Sequence, residues 1–199
     1  MRKIFLYLAF LCVGANPIIA QKRNVDVLIR SGNLIDIKTG TIQPKKLIAI
    51  QNKRILGVFN ESQINDFRAR TTIDASGKYI IPGLWDMHVH FGGGDTLIEE
   101  NKNLLPLYIA HGITGIRDAA ADLSPSVLQW RDQIAKGDLN GPTMFTSGPK
   151  LEGYKSSWVG DIEVSTPEEV DKMLDSLQGL RVDFVKITDN TIKPETYLY

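Results

Sequence analysis

The stretch Ile81-Pro82-Gly83-Leu84-Trp85-Asp86-Met87-His88-Val89-His90 separates two different rhythms in the sequence. Pro82-Gly83 is the punctuation, because proline cannot donate to a ladder and the pair favours a turn. Leu84 to Phe91 then predicts a buried strand. Alternation along a strand places Asp86, His88 and His90 on one face. Met87 and Val89 fall on the other, where helices would cover them. Two imidazoles two residues apart lie about 7 Å from each other at the backbone, and their rings can converge. A cation would sit at roughly 2.0–2.1 Å from each nitrogen. Three polar side chains pointing inward from a buried strand are costly without partners, and a metal satisfies two of them. His-x-His alone equally describes a hydrogen-bonded or surface pair.

Downstream the pattern alternates strand and helix. Leu97 to Ala110 predicts a helix that Pro106 kinks or divides. Ile113 to Arg117 is the next strand, and a helix follows from about Ser124 to Lys136, with Ser124 as cap and Pro125 at the first helical position. Gly141-Pro142 introduces a strand over Thr143 to Ser147. Thr166-Pro167-Glu168-Glu169 opens a helix reaching about Leu177, its acids in the first turn. Val182 to Ile187 is a fourth strand, and Pro194-Glu195-Thr196-Tyr197 begins one more helix. Alternating βα units imply a parallel sheet, either a barrel or an open doubly wound sheet. Four such strands are half a barrel.

Upstream the segments are short and β-rich. Val25 to Arg30 and Asn33 to Ile37 flank a turn at Ser31-Gly32. Lys46 to Ile50 and Arg54 to Val58 flank Gln51-Asn52-Lys53. Thr71 to Asp74 and Tyr79 to Ile81 flank Ala75-Ser76-Gly77-Lys78. A small antiparallel meander accounts for them, with a core too thin for a sandwich standing alone. The expected fold is therefore α/β, the N-terminal half of a (β/α)8 barrel behind a partial β-sandwich. Its divisions are a signal peptide over 1–20, a β-rich half-sandwich over 21–80 and four βα units over 81–199.

The signal peptide follows from Arg2-Lys3, the apolar run Ile4 to Val13, and Ile18-Ile19-Ala20 before Gln21-Lys22-Arg23. The run is shorter than the about 20 apolar residues of a spanning helix. A retained anchor is the rival to cleavage near Ala20 and export to a periplasmic or extracellular space. Cys12, the one cysteine, lies inside this segment, so no disulfide is expected and any metal site must use nitrogen and oxygen. The chain has 23 basic and 23 acidic residues, which argues against a nucleic-acid partner.

Lys186 interrupts the apolar run Asp183-Phe184-Val185-Lys186-Ile187 at the C-terminal end of the fourth strand, the end where barrel enzymes carry their sites. A buried lysine resists protonation, and its neutral amine can add carbon dioxide to become a carbamate able to bridge metals. The alternative is a lysine reaching solvent or paired with Asp183 or Asp189. Arg117 and Asp118 end the second strand; with Asp86 they are candidates to support the ligands, and a structural ion pair is the alternative for Arg117 and Asp118. Tyr154 and Trp158 follow the third strand, where a pocket wall is expected, and loop packing is their alternative. His111 sits at a helix-to-strand turn on the remote face and reads as structural. Trp85 and Trp130 read as core.

Ile81 to His90 resembles the first-strand motif of the amidohydrolase superfamily, in its imidazolonepropionase-like, prolidase-like dipeptidase branch. His111-Gly112-Ile113-Thr114-Gly115-Ile116-Arg117-Asp118, Gly141-Pro142 with Thr146-Ser147-Gly148-Pro149, and Asp183 to Ile187 follow in the family's order. Gly32-Asn33-Leu34-Ile35-Asp36 resembles its N-terminal half-sandwich. The resemblance implies a hydrolase of C–N bonds acting on a dipeptide or other small amide. It implies one or two divalent metals, often zinc, held by His88, His90 and a carboxylated Lys186, which supply hydroxide at neutral pH. It places two further histidines and a general-base Asp beyond Tyr199. An inactive fragment or binding remnant of such an enzyme is the alternative. A structural zinc module is disfavoured, because such sites commonly use four ligands including Cys. Substrate and oligomeric state stay open, and an oligomer is compatible with the sequence. Expression with export should yield a product whose first residue is Gln21 by N-terminal sequencing; a product still starting at Met1 or Arg2 would mean the apolar run is retained.

Overall fold

The computed structural model describes residues 21–199; the segment read as a signal, with Cys12, lies outside the described residues. The chain divides into two compact units with the boundary between Ile81 and Pro82. Among the described residues no helix is long and apolar enough to cross a membrane.

The first unit is one five-stranded sheet. Its axis is β1 (Arg23–Ile35), flanked by β2 (Ile42–Gln51), which pairs with β3 (Arg54–Asn60), and on the other side by β4 (Phe67–Asp74) and β5 (Tyr79–Ile80). The expected turn at Ser31-Gly32 is instead an irregularity within one long strand. Ser31 takes φ 61°, and its N–H and hydroxyl both donate to Glu61, at 2.8 and 3.0 Å, so the chain shifts register without reversing. The sheet is also mixed where an antiparallel meander was expected, because β4 and β5 both run parallel to β1. A 3₁₀ turn over Glu61–Asp66 carries the chain from β3 on one edge to β4 beside β1. Val25, Leu28, Leu47, Ala49 and Phe67 form its core. The β2–β3 hairpin turns on Asn52 and Lys53, both at positive φ, as a right-twisted two-residue turn requires.

The second unit is an open α/β layer. Strands β6 (Leu84–Val89), β7 (Ile113–Asp118) and β8 (Thr143–Thr146) lie side by side and parallel, in sequence order. Helices α1 (Ile98–Ala110) and α2 (Ser124–Lys136) are the crossovers and cover one face. Leu105 from α1, with Val127 and Trp130 from α2, packs there on Val89, Ile116 and Met144. Helix α1 passes through Pro106 as one element. Helix α2 begins on Ser124 itself, one residue earlier than expected; Leu123 holds the cap position, and the Ser124 hydroxyl turns back to the Ala121 carbonyl.

Beyond β8 the expected fourth strand does not form a ladder. The Asp183 N–H donates to the Thr146 carbonyl at 2.9 Å and the Leu151 N–H to the Lys186 carbonyl at 2.8 Å, and Ile187 makes a single parallel bridge to Leu151. Gly148, at φ 61°, bends the neighbouring chain between these points, so the two segments touch at their ends only. A two-stranded pair that the sequence did not suggest, β9 (Leu151–Glu152) and β10 (Ile162–Glu163), lies here instead. Helix α3 (Pro167–Gly179) starts on the Thr166 cap, with Glu169 returning the bond, and packs Val170 and Leu177 on Leu151, Val164 and Ile192. A single turn, α4 (Pro194–Tyr197), follows.

Glu152, 1% exposed, pins the segment after Lys186. Burial opposes its ionisation, but the Thr188 hydroxyl and the N–H groups of Thr191, Gly153 and Ile192 outweigh it and bring its pKa down to about 2. A folded pKa below the ordinary 4.5 adds stability that is complete above that value and is lost as pH falls toward 2. Resistance to urea should therefore fall as pH drops across that window. Glu152→Gln should cost about 2 kcal/mol at neutral pH, the scale of hydrogen bonds to a charged group, and should flatten the acid dependence; an unaltered acid dependence would show that Glu152 does not carry it.

Candidate functional site

Strict alternation on β6 holds only as far as Asp86. Asp86 pairs in register with Ile116, whose side chain belongs to the helix-covered core, and Trp85 pairs with Gly115. Three residues, 87–89, then span the step that takes β7 from Ile116 to Asp118, so the register shifts by one. After this bulge Val89 is the residue that enters the helix-side core. Met87, expected beneath the helices, is 54% exposed and lines a cleft with Trp85, Arg117, Phe145 and Phe184. Trp85, expected in the core, is 51% exposed and stacks on Phe145 at 5.5 Å. Its ring lies over Gly115, where an added Cβ would come within 2.6 Å, which is why that position has no side chain. Trp130 is core as expected.

The bulge frees His88 and His90 to face a second cleft of about 250 Å³, lined also by Ala119, Lys150, Trp158, Lys186 and Thr188. The Nε2 atoms of the two histidines are 3.1 Å apart. His90 Nδ1 lies 2.8 Å from the Ala120 carbonyl, which can only accept, so Nδ1 carries the proton. In neutral His90, Nε2 is then an open lone pair, and His88 must donate to it. A divalent cation drawing on both rings would take the place of that proton, and the backbone carbonyl is the usual kind of partner behind a ligating imidazole. Ala120 holds its carbonyl there at φ 126°, a conformation costly for a residue with a Cβ and typical of strain kept at functional positions.

Asp118 is fully buried at the end of β7. Burial pushes its carboxyl up to about 6, although the Thr146 hydroxyl, at 2.6 Å, and the nearby His90 pull the other way. Its Oδ1 has no hydrogen-bond partner among the described residues, an acceptor left open beside the histidine pair. Asp86 accepts the His88 N–H at 3.2 Å. It also lies near Tyr108 of α1, whose hydroxyl pKa is raised by burial first and then by the charges of Asp86 and Asp118.

Lys186 reaches the histidine cleft. Asp183 is engaged elsewhere, by Arg131 at 3.2 Å and the Thr146 N–H at 2.9 Å. Arg117 lies over the Phe184 ring at 4.4 Å, in the other cleft. Trp158 is at the histidine cleft, 6.1 Å from His90, whereas Tyr154 donates to Glu169 at the start of α3 and does not line it. His111 closes α1, its Nδ1 on the Leu107 carbonyl at 2.8 Å, away from the pair. Among the described residues no three His, Cys, Asp or Glu side chains come together, so the two imidazoles and Lys186 fit part of a metal's coordination shell. Two participants went unread in the sequence. Lys150 follows the strand-three motif and carried a signal; Ala120 carried none, since its role comes from its backbone.

No family model matches the chain. It is 40% identical over 74 residues to an adenine deaminase of Thermosipho africanus, a match covering 37% of this chain and 12% of that protein. It is 31% identical over 120 residues to a dihydroorotase of Carboxydothermus hydrogenoformans, covering 57% and 27%. Among solved structures, a Xaa-Pro dipeptidase with bound methionine overlays 83% of this chain with 47% of its own, at TM-score 0.69 and 25% identity. The ochratoxinase of A. niger overlays 81% with 46%, at 0.65 and 20%. The chain thus spans about a quarter or less of these curated relatives and just under half of these solved chains. It carries the fold of the amidohydrolase superfamily, at low identity and over part of that fold's length.

Ala120→Gly should relieve the strain at φ 126° and raise the unfolding free energy by about 1 kcal/mol, the strain released exceeding the extra backbone entropy of glycine. Urea denaturation reads this; a loss of 1 kcal/mol or more would mean that no strain is stored there.

Proposed function

We propose that the protein is a metal-dependent hydrolase of amide-type C–N bonds, in which His88 and His90 hold a divalent cation, zinc by preference, and Lys186 completes or bridges the site as a carbamate. The observation that carries this reading is the orientation of the histidine pair: Nε2 atoms 3.1 Å apart, with His90 Nδ1 held by the Ala120 carbonyl and both rings on a cleft shared with Lys186. A divalent cation in such a place supplies Lewis acidity toward an amide carbonyl and makes water available as hydroxide near neutral pH. The residues do the rest. His90 is fixed in its ligating tautomer, Asp86 restrains the His88 backbone, and Trp158 walls the cleft against which a small substrate, a dipeptide or another small amide, would lie.

The Xaa-Pro dipeptidase likeness supports an amide substrate. The deaminase and dihydroorotase likenesses support hydrolytic chemistry at C–N bonds of small ring compounds. A second reading has its own observation. The face bearing Trp85, Met87 and Phe145 is open, and no three-residue acidic, His or Cys cluster forms among the described residues. The 199-residue chain taken alone is then a partial site that binds metal weakly and turns over little, with the further ligands and the general-base carboxylate supplied by other parts of the whole protein. The N-terminal sequence pattern supports an exported compartment for this activity.

Calorimetry with zinc chloride should show binding to the chain, the one ring proton of neutral His88 moving from Nε2 to Nδ1 as Nε2 turns to the metal. His88→Ala and His90→Ala should each weaken it by about 10- to 100-fold or more, the scale seen when a supporting group of a metal site is lost. Zinc affinity unchanged in both variants would defeat the reading. Dipeptide hydrolysis by the 199-residue chain that depends on added zinc would overturn the second reading and not the first.

A further inference from the structure

A line of buried and half-buried polar groups at the edge of the histidine cleft joins the two segments that carry Trp158 and Lys186. Lys150 is 8% exposed. Its ammonium is 3.0 Å from Asp161 Oδ2, a side chain almost wholly enclosed, and donates to Thr188 Oγ1 at 3.1 Å. It also lies 5.7 Å from the centre of the Trp158 ring. Asp161 accepts from the Ser156 hydroxyl, and Ser156 Oγ accepts the backbone N–H of Trp158 at 3.2 Å. On the far side the Thr188 hydroxyl donates to Glu152, and the Lys186 carbonyl accepts the Leu151 N–H next to Lys150.

Burying an ion pair contributes little net stability compared with apolar side chains of the same size. Its use is geometric, because each charge demands its partner at one place and leaves an uncompensated charge if the loop moves. We propose that the Lys150–Asp161 pair is a positioning device for the cleft: it clamps the Trp158 loop to the Lys186–Thr188 segment and holds the indole against His90. Lys150 is then a positioning residue. The wall it sets favours a substrate whose non-reacting part is small and planar or apolar, able to lie on the indole. The proposal rests on the cleft being the substrate site argued above, but the clamp can be read without metal or turnover.

The experiment follows the fluorescence of Trp158 in the metal-free 199-residue chain, taken as the difference from a Trp158→Phe variant. Lys150→Met and Asp161→Asn should each shift that emission to the red and make it easier to quench with acrylamide, while Lys150→Arg keeps both near the parent's values. The paired variant Lys150→Met with Asp161→Leu strands no charge; it should keep the parent's circular dichroism and still release Trp158, which separates lost positioning from lost folding. Unchanged emission and quenching in the paired variant would overturn the clamp. Added Cu²⁺ should quench Trp158 in the parent and less in Lys150→Met. Failure of Cu²⁺ to bind would count against the metal reading alone, with the metal-free result still deciding the clamp.

Discussion

One extra residue in β6, between Asp86 and Val89, decides what each side of the second unit can do. Without it, Met87 and Val89 would share the helix side, and Asp86 would share the histidines' side. With it, Val89 takes the place next to Ile116 and Met144 under α1 and α2, and both histidines turn to the cleft. The bulge costs ladder regularity on a short strand. The apolar contacts of Val89 and the bond from the Ala119 N–H to the Val89 carbonyl, at 2.9 Å, hold the shifted register in place. Every later feature of the site depends on that shift, because a one-residue slip exchanges the faces of all that follows.

The candidate site is a junction of strand ends and loops rather than one element. His88 and His90 come from the end of β6, Ala119 and Ala120 from the turn after β7, Lys150 and Trp158 from the segments after β8, and Lys186 from the irregular segment beyond α3. This is the end of a parallel sheet at which loops gather and where ligands bind in α/β folds. Rigidity is supplied from behind. Asp118 and Thr146 tie β7 to β8, Glu152 gathers the segment over 188–192, and the Lys150–Asp161 pair crosses between loops.

The two units illustrate different kinds of legibility. Pro82-Gly83, the strand starts at Leu84 and Ile113, and the Thr166–Glu169 cap were local signals, and those elements begin where the signals put them, although β6 ends at Val89 and its alternation breaks after Asp86. The mixed sheet of the first unit was not local. Whether β4 pairs with β3 or with β1 depends on the path through Glu61–Asp66, and strand composition is the same for either neighbour. The missing ladder at 182–187 has the same origin, since its apolar run is a good strand sequence whose partner bends away at Gly148.

By itself the sequence determined the alternation of strands and helices, the Thr166 cap of α3 and the proximity of His88 to His90, because these depend on spacing within a few residues. It named Lys186 and Trp158 as residues of interest through their type and place in the order. Only the tertiary structure decided that the histidines part company with Asp86, that Tyr154 turns to α3 while Trp158 stays at the cleft, and that a lysine and an alanine carbonyl complete the surroundings. Those outcomes depend on register shifts and on contacts between segments 15 or more residues apart. No local pattern encodes them, because the same side chains are compatible with either face until the neighbouring strands choose one.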